Sequence, residues 1–67
     1  MVYDVIFVGN GLYLVHFYVA PYTYYLGWDA WFTSTSESHA RRLTQKEILE
    51  HSRLINATLR WPEGHEP

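Results

Sequence analysis

The sequence predicts a small α+β domain, an antiparallel sheet with one helix packed on one of its faces. Residues 2–8 and 12–20 are rich in β-branched and aromatic side chains, and they flank Gly9-Asn10-Gly11, a strong hairpin signal. Residues 44–47, Thr-Gln-Lys-Glu, have the spacing of a capping box, which marks a helix start. A chain of 67 residues has room for one such domain.

The register of the hairpin can be argued from the side chains that each turn would bring together. A two-residue turn would pair Val5 with His16 and mix polar with apolar partners on both faces. A three-residue loop, with Gly11 in the left-handed conformation, pairs Val5 with Val15 and Asp4 with His16. We prefer the second register. It gives one nearly apolar face, made of Tyr3, Val5, Phe7, Tyr13, Val15, Phe17 and Val19. The other face is mixed, with Val2, Asp4, Ile6, Val8, Leu12, Leu14, His16 and Tyr18.

The middle of the chain is expected to add one further strand. Pro21 ends the second strand because proline cannot donate a ladder hydrogen bond. Residues 22–27 are interpreted as a loop or an irregular edge. Residues 28–33 alternate in the manner of a third strand, and residues 34–38 form a polar connector.

A helix is predicted over residues 45–53, directly after the capping box. Leu43 and Ile48 occupy the positions of a hydrophobic staple on either side of its start. Asn56 is a candidate for the left-handed residue that stops a helix. The side chains expected to face the sheet are Ile48, Leu49, Ser52 and Ile55.

A short final strand over residues 58–61 completes the predicted domain, which spans residues 1–62 and leaves residues 63–67 as a polar tail. The chain has no cysteine, so neither disulfides nor cysteine zinc ligands can support so small a core. Association with another chain is the remaining support. The sequence therefore predicts a homodimer.

The charges disfavour nucleic acid as a partner. The formal net charge is −2, and every lysine and arginine lies after residue 40, whereas phosphate contacts need clustered cations. No apolar run is long enough to span a bilayer, and the first residues lack the basic start of a secretory signal. We expect a cytoplasmic protein without a membrane partner.

The aromatic residues form the candidate binding surface. All but one of them lie in residues 3–32, a stretch without lysine or arginine. A helix of about nine residues is only about 13 Å long, so it cannot cover both sheet faces. The rings left over are of types enriched at protein interfaces. They are Tyr18, Tyr22, Tyr24, Tyr25, Trp28 and Trp31.

The sequence predicts no catalytic site, metal or cofactor. Glu47 and His51 are spaced as a polar pair on one helix face, but no run with three zinc ligands is present. His16 beside Asp4 resembles an oriented base. However, a nucleophile is missing, because the serines of residues 34–38 have no glycine elbow. We therefore expect a protein that is not an enzyme.

A second function remains open, in which the chain sequesters a small molecule such as a nucleotide. Arg41 and Arg42 precede the helix start, and one or the other would hold a phosphate while a tyrosine or tryptophan stacks on the base. The amide groups at the helix start would favour an anion there.

Residues 40–47 read Ala-Arg-Arg-Leu-Thr-Gln-Lys-Glu, an alanine and two basic residues ahead of a Leu-Thr-x-x-Glu helix start. This motif, within the order of hairpin, third strand, capped helix and final strand, resembles small orphan proteins encoded by bacteriophages. The resemblance covers the second half of the chain. Many such proteins bind a host protein, including host defence components. The resemblance thus implies an inhibitor of a host protein in the host cytoplasm.

Overall fold

The computed structural model describes residues 2–27 and 30–67, with the backbone alone for residues 30–34. The described chain is built from strands and one helix, with a single 3₁₀ turn over Glu37–His39. The elements are β1 (Val2–Gly9), β2 (Leu12–Val19), β3 (Tyr22–Gly27), β4 (Ala30–Thr35), β5 (Leu43–Thr44), α1 (Gln45–Ile55) and β6 (Thr58–Arg60).

The strands form one open sheet in the order β4-β3-β2-β1-β6, and β5 pairs with the first part of β2. This confirms the predicted α+β class. The sheet is nevertheless mixed and not purely antiparallel, because β6 runs parallel to β1, with Val2 opposite Thr58 and Asp4 opposite Arg60. The helix returns the chain across one face of the sheet, so the strand after it enters the edge in the direction of β1.

The hairpin has the predicted register, with Val5 opposite Val15 and Asp4 opposite His16. Its turn is tighter than the predicted three-residue loop, because Gly9 pairs with residue 12 and a bulge precedes it. Asn10 and Gly11 both have positive φ angles, 53° and 71°, as a two-residue type I′ turn requires. The bulge adds one residue to β1. It thereby combines the short turn with the register that separates the two faces.

The interpretation of residues 22–27 as a loop or irregular edge is wrong, since they form strand β3. Tyr24 lies opposite Phe17 and Tyr25 opposite His16 across the ladder with β2. Tyrosine and threonine suit a pleated sheet surface, and here the strand propensity of those residues prevails over the irregular pattern. The described part of β4 starts later than the predicted third strand and continues to Thr35. Residues 28 and 29 lie outside the described residues.

The helix begins at the predicted capping box. The backbone N–H of Glu47 donates to Thr44 Oγ1 at 3.2 Å, and the N–H of Thr44 donates to Glu47 Oε1 at 3.0 Å. The helix continues to Ile55, two residues beyond the predicted end, and Asn56 follows it with a left-handed φ of 52°. The stop signal at Asn56 was therefore a better guide to the end of the helix than the predicted bounds.

The core lies between α1 and the apolar face of the hairpin. Its buried residues are Tyr3, Val5, Tyr13, Val15, Leu26, Leu43 and Ile48. Both residues of the predicted staple, Leu43 and Ile48, are fully buried. Ser52 is buried and Ile55 packs against the core as expected, whereas Leu49 is half-buried. Phe7 and Val19, which the apolar face was predicted to include, remain exposed at opposite ends of the hairpin.

The chain after β6 packs against the turn end of the hairpin. The ring of Trp61 meets that of Tyr13 edge-on at 5.5 Å, although β6 ends one residue before it, at Arg60. The imidazole of His65 stacks on Phe7 at 4.4 Å, and its Nδ1 lies 3.2 Å from the Tyr13 hydroxyl. Residues after Pro62 thus contribute contacts to the sheet.

Candidate binding surface

The tyrosines named from the sequence lie along the whole β2–β3 ladder, on both faces of the sheet. Tyr24 is opposite Phe17 and Tyr25 is opposite His16, and side chains alternate between faces along a strand. Tyr22 and Tyr24 therefore share the face that carries the helix. Tyr18 and Tyr25 lie on the opposite face. The four rings are close in the fold, but they do not form one flat surface.

Two of these tyrosines are well exposed. Tyr18 and Tyr22 keep 65% and 63% of their surface accessible. Tyr24 is half-buried, with its ring stacked on that of Phe17 at 5.5 Å. Tyr25 is half-buried beside the imidazole of His16, also at 5.5 Å. Tyr18 and Tyr22 are consequently the rings best placed to meet a partner, and Tyr24 and Tyr25 support the strands beneath them.

A small open groove lies beside β3 and the end of β4, with a volume of about 360 Å³. Two tyrosine rings and three hydroxyl side chains line it: Tyr22, Tyr24, Thr23, Thr35 and Ser36. This combination offers apolar surface with a few groups that can donate or accept a hydrogen bond, as binding sites usually do. The groove extends the exposed tyrosine surface toward the end of β4.

The side chains of the two tryptophans of the predicted surface are outside the described part of the structure. Trp28 lies outside the described residues, and Trp31 is described through its backbone in β4. The tyrosines alone therefore define the surface from here on. The term tyrosine surface refers below to Tyr18, Tyr22 and the groove.

Asp4 lies opposite His16 across the hairpin, as predicted, but the Asp4 carboxylate is bound by Arg60. Arg60 Nε and one of its terminal nitrogens donate to the two Asp4 oxygens at 2.6 Å and 2.8 Å. These hydrogen bonds and the adjacent positive charges lower the pKa of Asp4, although partial burial opposes the shift. No local signal reveals this pair, since the two residues meet through the parallel β1–β6 ladder. His16 Nδ1 is buried and has no hydrogen-bond partner in the described part of the chain.

The two arginines of the nucleotide alternative have different environments. Arg41 donates to Glu47 Oε2 at 2.8 Å and is half-buried, whereas Arg42 is exposed. The backbone hydrogen bond from Thr44 is the main cause of the lowered pKa of Glu47, and the hydroxyl of Thr44 and the charges of Arg41 and His51 add to it. The helix start thus already holds an anionic group, the Glu47 carboxylate, with Arg41 as its counterion.

The connector after β4 carries a hydrogen-bonded cluster that the sequence did not single out. The hydroxyls of Ser36 and Ser38 lie 3.2 Å and 3.1 Å from His39 Nδ1, and 3.1 Å from each other. All three residues are exposed. Across residues 2–27 and 30–67, no three histidine, aspartate or glutamate side chains come together as metal ligands would.

Within the described residues, no helix is long and apolar enough to cross a membrane. No protein-family model, curated protein sequence or solved structure matches this chain.

Proposed function

We propose that this chain is a non-enzymatic binding protein that captures another protein through its tyrosine surface. The exposure of Tyr18 and Tyr22 carries the proposal. Large amphipathic rings in water contribute little to a monomer, but at interfaces they supply much contact area at low conformational cost. The adjacent hydroxyl-lined groove gives such a contact its polar groups.

The charge of the tyrosine surface limits the class of partner. Its residues are uncharged, and they come from the part of the chain without lysine or arginine. A nucleic acid would find no cations there to neutralise its phosphates. A protein surface with apolar and hydrogen-bonding groups fits better. The resemblance to phage proteins suggests a host protein as the target, inhibited in the host cytoplasm.

The proposal is tested with the full chain immobilised against a bacterial lysate, comparing Tyr22→Ala with Leu54→Ala. Leu54 is 84% exposed on the helix, so its removal changes a comparable apolar side chain away from the surface. A host protein retained by the wild type and by Leu54→Ala, but lost with Tyr22→Ala, is the expected result. Purified partner would then give the affinity change by titration, about tenfold or more for an interface hot spot.

Retention that is equal for the wild type and Tyr22→Ala would contradict the assignment of the surface. A complete lack of retained protein would contradict the binding function. Circular dichroism of Tyr22→Ala is the control for folding. This substitution leaves the buried core residues unchanged, so the spectrum should match that of the wild type.

The nucleotide alternative gains no support from the two arginines, because Arg41 is already paired with Glu47. The nucleotide alternative makes a distinct prediction. A nucleotide should raise the melting temperature of the wild type but not that of Arg42→Ala. Such a shift, without capture of a protein, would favour the alternative.

A further inference from the structure

The groove of the tyrosine surface lies where β3 extends past the end of β4. The β3–β4 ladder pairs Leu26 with Ser34 and Tyr25 with Thr35, and β4 ends at that last pair. Strand β3 has three further residues beyond it, Tyr22–Tyr24, which pair with β2 on their inner side. Among the described residues, no strand pairs with their outer side. The sheet therefore has an opening one strand wide, which we call the notch.

The residues that line the groove are the residues that border the notch. They are Tyr22, Thr23 and Tyr24 from the open part of β3, and Thr35 and Ser36 from the end of β4. After Ser36 the chain leaves the line of β4 and enters the 3₁₀ turn over Glu37–His39. A strand that continued in line with β4 would run through the groove. The groove thus has the position that a further strand of the sheet would take.

The exposure of β3 changes at the same point. Leu26 and Gly27, which lie beside β4, are buried, and Tyr25 at its end is half-buried. Beyond the end of β4, Tyr24 is half-buried, whereas Thr23 and Tyr22 are exposed. The accessible part of β3 is consequently the part that has a neighbouring strand on one side only.

The notch offers backbone groups as well as rings. Along a strand, the N–H and C=O groups of alternate residues point to opposite edges. Either those of Thr23, or those of Tyr22 and Tyr24, therefore point into the groove. Apart from the ladder with β2, the backbone of these residues makes no hydrogen bond within the described part of the chain. An extended chain is the ligand that matches the donors and acceptors of a strand edge.

The opposite edge of the sheet is built differently. There β6 has only three residues, carries the charge of Arg60 and is followed closely by Pro62. Short length, charge and proline are features that keep a sheet edge from pairing with other chains. The five residues that line the notch include no charged residue and no proline. The notch therefore lacks the protection that the β6 edge has.

A second copy of the chain cannot use the whole notch. Antiparallel pairing of all three residues with their own copy would centre on Thr23 and would place Pro21 opposite Tyr25. Thr35 already lies opposite Tyr25, so Pro21 of each copy would collide with Thr35 of the other. A segment of a different protein avoids this collision when its chain ends or turns away beside Thr35.

We propose that the notch is a strand-addition site, in which an extended segment of the captured protein pairs with Tyr22–Tyr24 in line with β4. The inference rests on the proposed capture function and specifies how the target is held. Main-chain hydrogen bonds to β3 give affinity, and alternating side chains give specificity. On the face that carries the helix, the segment meets the rings of Tyr22 and Tyr24, which pair well with β-branched side chains. On the other face it meets Thr23.

The probes for this site are peptides selected from a library of random short peptides displayed against the immobilised full chain. With the tightest of them at about 100 times its Kd, amide exchange measured by NMR should slow about a hundredfold, by mass action. The slowing should occur at Thr23 alone or at Tyr22 and Tyr24 alone, because the amides between them already bond to β2. The amides of residues 58–60, at the opposite edge of the sheet, are the matched control and should keep their rates.

N-methylation of the selected peptide tests the same hydrogen bonds from the other side. Methylation should abolish binding at alternate peptide residues, whose N–H groups face β3, and should be tolerated at the residues between them. A selection that yields no binding peptide would overturn strand addition. So would a bound peptide that leaves the exchange of Tyr22–Tyr24 unchanged.

The two proposals fail separately. If peptides do not protect the notch but Tyr22→Ala still abolishes capture of a host protein, the capture function stands and the strand-addition site is wrong. If peptides protect the notch but the lysate yields no retained protein, the strand-addition site stands and the capture of a host protein is wrong.

Discussion

At the scale of single residues, the carboxylates of Asp4 and Glu47 each accept hydrogen bonds from more than one donor. Asp4 accepts both hydrogen bonds of Arg60 and so joins the first strand to the last. Glu47 accepts from the backbone and hydroxyl of Thr44, and it also pairs with Arg41. Each carboxylate is held in its ionised form by donors that would lose their acceptor on protonation.

These contacts predict a pH dependence of stability. The pKa of both Asp4 and Glu47 is lowered in the folded protein. Their contribution is therefore complete above the ordinary carboxyl pKa of about 4 and is lost as the pH falls through the lower folded values. Asp4→Asn with Glu47→Gln should be less stable than the wild type at pH 7, and the two curves should converge as the pH falls through the lowered pKa values of the folded state. Urea unfolding across a pH series measures this. A difference in the free energy of unfolding that stays constant across the pH series would contradict this role of the two carboxylates.

At the scale of elements, the start of α1 is the best specified point of the chain. The Thr44 hydroxyl satisfies a backbone donor that the helix leaves open, and Glu47 returns the bond. The flanking residues Leu43 and Ile48 are both fully buried. Polar capping and apolar packing thus both favour a helix start at Thr44.

Thr44→Ala should lower the free energy of unfolding by about 1 kcal/mol, because it leaves a helix N–H without its acceptor. Chemical denaturation at neutral pH measures the difference. Lys46→Ala, an exposed change in the same helical turn, is the control and should stay within about 0.5 kcal/mol of the wild type. Equal effects of the two substitutions would mean that the cap contributes nothing specific.

Local patterns predicted the hairpin register, the capping box and the stop at Asn56, since each depends on neighbours in sequence or across one turn. They did not predict β3 at residues 22–27, whose tyrosines become regular only when β2 offers a ladder. The pairing of Asp4 with Arg60 was also out of reach. It depends on the direction in which β6 enters the sheet, and no short-range pattern encodes that direction.

Only part of the candidate surface could be predicted, again because its geometry depends on pairing between strands. Composition indicated that some rings would lie outside the core, and Tyr18 and Tyr22 are indeed exposed. Their distribution over two faces depends on the β2–β3 register, which the interpretation of residues 22–27 as a loop had left undefined. A correct strand assignment there would have placed Tyr24 and Tyr25 on opposite faces by alternation alone.

At the scale of the whole molecule, stability is concentrated in one small core around Ile48. This side chain is fully buried between the helix and the sheet, in one cluster with Val15 and Leu43. Ile48→Val should cost about 0.5–1.5 kcal/mol by removing one methylene group from packed surroundings. The denaturation midpoint measures the loss. Leu54→Ala, on the exposed side of the same helix, should change the stability by no more than about 0.5 kcal/mol. A similar loss in both variants would contradict a core centred on Ile48.

The parallel pairing of β6 with β1 also bears on the order in which the chain folds during synthesis. Asp4 and Arg60, which face each other across this pairing, lie 56 positions apart. The hairpin can form as soon as it leaves the ribosome, but the outer edge of β1 stays unpaired until β6 has been made. Long-range pairing of this kind slows folding, and an open strand edge in the meantime can pair with another chain. Pairing with β6 therefore covers the Val2–Asp4 part of this edge only after most of the chain has been made.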